Sequence, residues 1–278
     1  MKKIAIIPNI SKDTDLAVTK KLIACIEKNS AEVLVQKAFY KDIDEKYVRE
    51  NAISEADCVI VIGGDGTILN AAFECSVADI PILGINLGRI GFMTEVEVDD
   101  IEKAIFALIS GNYIIEERMM LKVSYLKQGE KKTYHALNDV VISKTDNSKL
   151  IGMDLFSGSE LINRYVADGL ILSTPTGSTG YNLSAGGPVV NPLMELVVAT
   201  PMCAHMLTAR PAVMPADEVL RVVLESDDKN CALVTVDGEI AGKIKNLSEV
   251  EIIKSEYKTK IIKINKQSFY NVFTGKLS

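Results

Sequence analysis

Residues 59–70 read VIVIGGDGTILN. An apolar run ends in glycines and then a helix start, an arrangement that bares backbone N–H groups to a phosphate with the positive end of a helix behind them. Gly63, Gly64 and Gly66 permit φ > 0 and close backbone approach, and a helix beginning near Thr67 adds its dipole. The spacing is neither GxxxxGK[ST] nor GxGxxG, so the usual NTPase and dinucleotide fingerprints do not apply. As a plain strand-to-helix turn the stretch would need no acid, yet Asp65 sits in its middle. A carboxylate beside polyphosphate is repelled unless it has a task. It can accept the proton of an attacking hydroxyl or hold the magnesium ion that neutralises the phosphates, and either makes this a phosphotransferase loop. The third task open to it is binding a ribose hydroxyl.

A second dense stretch is DGLILSTPTGSTGYNLSAGGPVVN, residues 168–191. Ser173, Thr174, Thr176, Ser178, Thr179 and Ser184 stand among glycines with one large ring, Tyr181. Short hydroxyls and freed amides bind phosphates, ribose and base edges without bulk, whereas a solvated connection between strands is the plainer reading. Pro175 stiffens the backbone here.

The elements that must position these stretches alternate from residue 3 to 110. Ile4–Ile7, Val33–Val35, Cys58–Ile62 and Ile82–Ile85 read as strands, and 15–29, 67–75 and 99–109 as helices, the last capped by Asp99. That rhythm predicts a mostly parallel sheet covered by helices. From Tyr113 onward, runs such as MLKVSYLK, HALNDVVISK, GLILST, VLRVVLE and CALVTVDG are strand-like and separated by Gly, Asn, Asp and Pro. The expected organisation is a Rossmann-like α/β domain over 1–111 and 252–278, interrupted by a β-rich, sandwich-like domain over 112–251.

Composition narrows the function classes. The 278 residues carry a formal charge of −6 and are 47% hydrophobic, as in an ordinary globular protein, and the acidic balance argues against nucleic acid or an anionic membrane as partner. Cys25, Cys58, Cys75, Cys203 and Cys231 are widely spaced without a CxxC pair, so neither a disulfide framework nor a zinc site is expected, and the cytoplasm is the expected compartment. The opening MKKIAIIPNI has an apolar run too short for a signal peptide and reads as a first strand. His135 on a strand-like segment reads as a packed or surface histidine, His205 has no identifiable partner that would make it a catalyst, and the scattered methionines read as packing.

Taken together, GGDGT at 63–67, LGINLGRIGFMTE at 83–95, LNDVVISK at 137–144, DGLILSTPTGSTGYNLSAGGP at 168–188, HMLTARP at 205–211 and VDGE at 236–239 resemble the blocks of the NAD kinase family, in the family's order. The similarity spans nearly the whole chain, whereas GGDGT alone is shared with diacylglycerol-type lipid kinases. The resemblance implies an enzyme that uses ATP, or polyphosphate, with Mg²⁺ held mainly through the ATP phosphates, to phosphorylate the 2′-hydroxyl of the adenosine ribose of NAD. It also implies a homodimer or homotetramer. Laid on these residues, it makes Asp65 the base or orienter of that hydroxyl, and Gly63, Gly64, Gly66 and Thr67 the surroundings of the ATP phosphates. Asn138 and Asp139 match the pair that grips the dinucleotide, and Asp168 the acid near the cationic nicotinamide. Thr179, Gly180, Tyr181, Asn182, Leu183 and Ser184 match the segment enclosing an adenine, while Lys149 and Glu239 align with polar positions of the pocket.

Three departures from the family alter reach or fit. Asp139 stands where Glu is common, Gly180 where TGSTAY carries a methyl, and Val166–Ala167 where many members have an arginine nearby. The site is expected in the cleft between the lobes. Two rival readings stay open on the residues: a lipid kinase, which the polar 173–184 segment disfavours, and a non-catalytic NADP sensor, which would not need Asp65.

Overall fold

The computed structural model describes residues 1–37, 43–88, 91–145, 149–206, 208–225, 231–245, 247–264 and 268–277. The chain divides into two compact units, Met1–Glu117 with Lys258–Ser278, and Arg118–Tyr257. Among the described residues no helix is long and apolar enough to cross a membrane.

The first unit is α/β. Strands β1 (Lys3–Pro8), β2 (Glu32–Gln36), β3 (Val48–Arg49), β4 (Cys58–Gly63), β5 (Ile82–Asn86) and β6 (Thr94–Glu97) alternate with helices α1 (Ala17–Lys28), α2 (Asp65–Val77) and α3 (Ile101–Ser110). All pairings among these strands are parallel, in the order β3-β2-β1-β4-β5, with β6 beside β5. Every residue of β4, CVIVIG, is buried, as expected for a parallel strand with helices on both faces. The helices contribute Leu22, Ile23 and Ile26 from α1 and Ile101, Ala104, Ile105 and Leu108 from α3 to the core around Ile60 and Ile62.

Helix α1 starts at Ala17, two residues after the point expected from periodicity. The reason is Asp13, whose buried carboxylate accepts the N–H of Val18 and Thr19 and the Thr19 hydroxyl. Asp99 does not cap α3; a 3₁₀ turn spans Val98–Asp100 and the cap position falls to Asp100, with no side-chain cap bond.

The second unit is β-rich. Strand β7 (Ile114–Lys127) enters it and forms a hairpin with β8 (Glu130–Ala136). The strands β9 (Asp139–Lys144), β10 (Ile151–Ser157), β11 (Glu160–Ala167) and β12 (Gly169–Ser173) follow, then the short helix α4 (Tyr181–Ser184). After them come β13 (Leu196–Met202), β14 (Ala212–Pro215), β15 (Leu220–Glu225), β16 (Ala232–Val236), β17 (Glu239–Ile244) and β18 (Glu249–Lys263). One antiparallel sheet has the order β14-β13-β12-β9-β16-β17; in the other layer β11, β10, β15 and the first part of β18 pair antiparallel. Alternate residues of both layers, including Val140, Ile142, Leu170 and Leu172 from one and Met153, Leu155, Val222 and Leu224 from the other, share a single core. In the first unit the end of β18 pairs parallel with β5 at Ile261 and Ile82, and helix α5 (Phe269–Leu277) closes the described chain.

Candidate active site

The glycine loop joins β4 to α2, and the helix begins at Asp65 itself, not near Thr67. An acid in the first turn is favoured by the positive helix end. None of Gly63, Gly64 and Gly66 uses a positive φ, so the expectation that they supply left-handed backbone is corrected. What Gly63 supplies is closeness: a Cβ there would come 2.8 Å from the Thr67 Cβ and 3.2 Å from that of Asn9. At Gly66 a Cβ would meet nothing within 4 Å, which is open room beside the acid. Thr67 is fixed from behind, its Oγ1 accepting from Asn9 Nδ2 at 2.9 Å. A cavity of about 570 Å³, lined among others by Asn9, Ser11, Gln36, Thr67, Asn70 and Glu74, lies at this end of α2.

The Asp65 side chain is held by the segment that precedes β6. Its Oδ2 accepts the N–H of Phe92 at 2.7 Å, and its Oδ1 accepts those of Met93 and Thr94, both at 3.1 Å, and the Thr94 hydroxyl at 3.3 Å. Gly91 lies against this carboxylate so closely that a side chain there has no room, and its N–H is bonded to Thr94 Oγ1 at 3.0 Å. The 83–95 block is thereby explained as far as it is described; its Arg89 and Ile90 lie outside the described residues, as does Leu207 of the 205–211 block.

In the second unit Asn138 and Asp139 open β9. Asp139 is 6% exposed, and burial, reinforced by the negative charge of Asp237, pushes its carboxyl up to about 7. Asp237 was not among the residues singled out from sequence, although the Asp-Gly pair at 237–238 is the turn signature of a tight hairpin. Both residues take positive φ, 49° and 86°. The Asp237 carboxylate accepts the N–H of Leu137 and Asn138 at 2.7 Å and of Asp139 at 3.1 Å. Burial raises its pKa and these three donors oppose the rise.

The hydroxyl-rich stretch behaves differently from the expectation that its hydroxyls face a ligand. Ser173 Oγ donates to Thr174 O, Thr174 Oγ1 to Leu137 O at 2.6 Å, and Ser178 Oγ to Pro175 O at 2.7 Å while accepting from Val190 N. The Asn182 side chain is likewise spent, donating to Ser178 O and Pro188 O and accepting from Thr200 Oγ1 at 2.6 Å. These groups make the loop rigid. The buried polar atoms left without a partner here are Thr176 Oγ1 and Asn138 Oδ1, so of the hydroxyls noted in this stretch that of Thr176 is buried and unspent.

Thr179 is half-buried and its hydroxyl reaches Thr176 O at 3.4 Å, whereas Tyr181 and Ser184 are exposed and Leu183 is half-buried. A methyl on Gly180 would lie 3.3 Å from Gly177 O and 3.7 Å from Asn138 Nδ2, so the place the family's alanine takes is a tight but usable gap beside Asn138. Asp168 forms an ion pair with Lys144 at 2.5 Å, a partner not expected from the sequence. Lys149 and Glu239 are exposed. Within the second unit the structure thus gathers Asn138, Asp139, Thr176 and Gly180 around one turn, and within the first it gathers Asp65 with the glycine loop and Thr67.

Comparison with known proteins gives the family. Residues 4–113 match the model of the ATP-NAD kinase N-terminal domain and residues 137–264 that of the ATP-NAD kinase C-terminal domain. The NAD kinase of Lachnoclostridium phytofermentans is 38% identical over 99% of this chain and 99% of its own. That of Natranaerobius thermophilus is also 38% identical, over 100% of this chain and 98% of its own. Among solved structures, an NAD kinase from Archaeoglobus fulgidus in complex with ATP superposes with a TM-score of 0.77 at 26% identity, covering 98% of this chain and 97% of that one. Yeast NADH kinase complexed with NADH has the same fold, with a TM-score of 0.90 at 24% identity over 100% of this chain and 87% of that one. An α/β unit with its acid at the end of a glycine loop, a β-rich unit with its Asn-Asp turn, and relatives matched from end to end lead to one conclusion: the chain belongs to the ATP-NAD kinase family.

Proposed function

We propose that in this NAD kinase Asp65 takes the proton of the adenosine-side 2′-hydroxyl of NAD while that oxygen attacks the γ-phosphoryl of ATP. The O–H bond of the ribose breaks, the new O–P bond forms, the bond from the γ-phosphorus to the bridging oxygen breaks, and NADP and ADP leave. The observation that carries this reading is how the Asp65 carboxylate is filled. Oδ1 has three donors within reach, whereas Oδ2 has one, from Phe92. A carboxylate oxygen offers about two lone-pair positions, so Oδ1 is the anchor and Oδ2 the oxygen with room for a substrate hydroxyl. Holding the acid by backbone amides positions it without a flexible partner, which is what a proton acceptor in an in-line transfer requires.

The ATP phosphates would lie along Gly63, Gly64 and Thr67, beside the cavity at that end of α2. Asn138 and Asp139 would grip the dinucleotide, Thr179 to Ser184 would enclose an adenine with Tyr181 as the ring, and Lys149 and Glu239 would stand at the rim. Asp168 would face the cationic nicotinamide in competition with Lys144. Among the described residues no group of three or more His, Cys, Asp or Glu is placed to hold a metal ion. Magnesium would be taken up mainly through the ATP phosphates, with Asp65 at most an added ligand. Magnesium so bound would neutralise charge on the transferring phosphoryl group. Polyphosphate in place of ATP would use the same loop. The reading of a cytoplasmic homo-oligomer belongs to this proposal, and the free cysteines, with Cys25, Cys58 and Cys75 buried, suit a reducing compartment.

The lipid-kinase and sensor alternatives have no support among the matched relatives, which are NAD kinases. The test is NADP formation from NAD, ATP and Mg²⁺, read by an NADP-specific dehydrogenase, for the parent and for Asp65→Asn. A positioned base contributes on the order of 10²–10⁴ in rate, so the variant should lose at least about a hundredfold in kcat. Undiminished kcat would remove the assignment.

A further inference from the structure

We propose that Asp237 is a positioning residue for NAD: it sets the Asn138–Asp139 turn in the one conformation that grips the dinucleotide. The inference rests on the reading of that pair as the NAD contact and adds to it the group that holds the pair. Three successive N–H groups, of Leu137, Asn138 and Asp139, converge on the Asp237 carboxylate at 2.7, 2.7 and 3.1 Å, and Asp237 N returns a bond to Asp139 O at 3.0 Å. The opposite side of the turn is clamped as well. Thr174 N donates to Asn138 O at 2.8 Å, Thr174 Oγ1 to Leu137 O, and Gly177 lies so close that a Cβ on it would come 2.6 Å from the Asn138 carbonyl carbon. The backbone polar groups of residues 137–139 are therefore largely committed to protein partners, while the Asn138 Oδ1 atom is buried without one. A turn whose main chain is locked on two sides and whose side-chain acceptor is unspent is prepared for a ligand.

One feature argues that Asp237 is there for more than closing a hairpin, a task that Asn-Gly performs as well as Asp-Gly. Its charge lies beside the buried Asp139 and pushes that carboxyl up, a cost that a neutral turn residue would avoid. The cost is accepted for a carboxylate, the side chain able to take three N–H donors at once.

The experiment uses Asp237→Asn and Asp237→Gly, both compatible with the positive φ, so the hairpin keeps its backbone while the three-way acceptor is weakened or lost. Steady-state KM for NAD, KM for ATP and kcat are measured, with thermal unfolding as control. Loss of charge-assisted bonds to the gripping turn should raise KM for NAD by roughly tenfold or more in both variants, with KM for ATP within about twofold. A KM for NAD that stays within twofold, a parallel rise in both KM values, or failure of both variants to fold would each overturn the proposal. Asn138→Ala and Asp139→Asn separate it from the reading it rests on. If these leave KM for NAD unchanged, the pair does not contact NAD; if they raise it and the Asp237 variants do not, only the role of Asp237 falls.

Discussion

Gly91→Ala is the sharpest perturbation of the proposed base, because it touches Asp65 without changing its chemistry. A Cβ on Gly91 would stand 2.5 Å from Thr94 Oγ1, about 0.9 Å short of the 3.4 Å at which ordinary contact begins, and closer still to the Asp65 carboxylate. The carboxylate therefore has to move by more than about 0.9 Å. Its bonds to the N–H groups of Phe92, Met93 and Thr94, now 2.7 to 3.1 Å long, cannot all survive such a shift. A misplacement on the order of 1 Å in a reacting group costs about 10²-fold, and loss of the base altogether up to about 10⁴-fold, so kcat should fall between these bounds. Bonds to a charged group are worth about 1.5–3 kcal/mol each, but water replaces part of that at a half-buried side chain, leaving a stability loss of about 1–3 kcal/mol. A domain with a typical stability of about 5–15 kcal/mol stays folded under that loss. The assay is NADP formation at saturating NAD and ATP, with urea unfolding in parallel. A folded variant with kcat within about threefold of the parent refutes the placement of Asp65 as the base.

Three further outcomes are expected. The Asp139 carboxyl, raised by burial and then by Asp237 to about 7 in the folded state against 3.8 unfolded, contributes stability that is present below about pH 4 and lost as pH rises through 7; Asp139→Asn should therefore gain on the parent between about pH 5 and pH 8 in urea titrations, and a constant difference would refute it. Thr200→Val strands the buried Asn182 Oδ1 and should cost about 1–3 kcal/mol by the same method. Lys144→Met frees Asp168 from its ion pair, so the ratio of kcat/KM for NAD over NADH should rise several-fold, because only the oxidised ring is cationic; an unchanged ratio would dissociate Asp168 from the nicotinamide.

Much of the fold was legible because two periods are hard to mistake. The all-buried run CVIVIG and the alternating strands after Tyr113 carry different patterns, and they mark an α/β unit and a β-rich one. Helix starts were less legible: α1 waits for Asp13, whose carboxylate takes the N–H groups five and six residues on, and α2 begins at Asp65, two residues before the point expected. In the site, residue types pointed to Asp65 and the family resemblance to Asn138–Asp139, but neither pointed to what holds them. Asp237 lies about a hundred residues from the turn it binds, and no local pattern announces a carboxylate that serves as acceptor for a distant backbone. The hydroxyls of Ser173, Thr174 and Ser178 misled for a related reason. A short hydroxyl is as good at knotting a loop as at touching a ligand, and only the partner list tells which.

The carboxylates of Asp65 and Asp237 are held in the same way, and this bears on how an acidic side chain is tolerated in a loop of the kind that suits phosphate. Asp65 is met by three successive N–H groups, of residues 92–94, and the turn bearing Asp139 is held by a second carboxylate, Asp237, that is itself met by three, of residues 137–139. Successive amides aimed at one point form an anion-binding concavity, here occupied by the protein's own carboxylates. Such amides offset an acid's charge without adding a mobile cation that could pair instead with the substrate's phosphates. A lysine in their place would compete for ATP and change position with it. Backbone amides cannot do so, and in the proposed mechanism this lets Asp65 stay beside an incoming polyphosphate and still present one oxygen to a sugar hydroxyl.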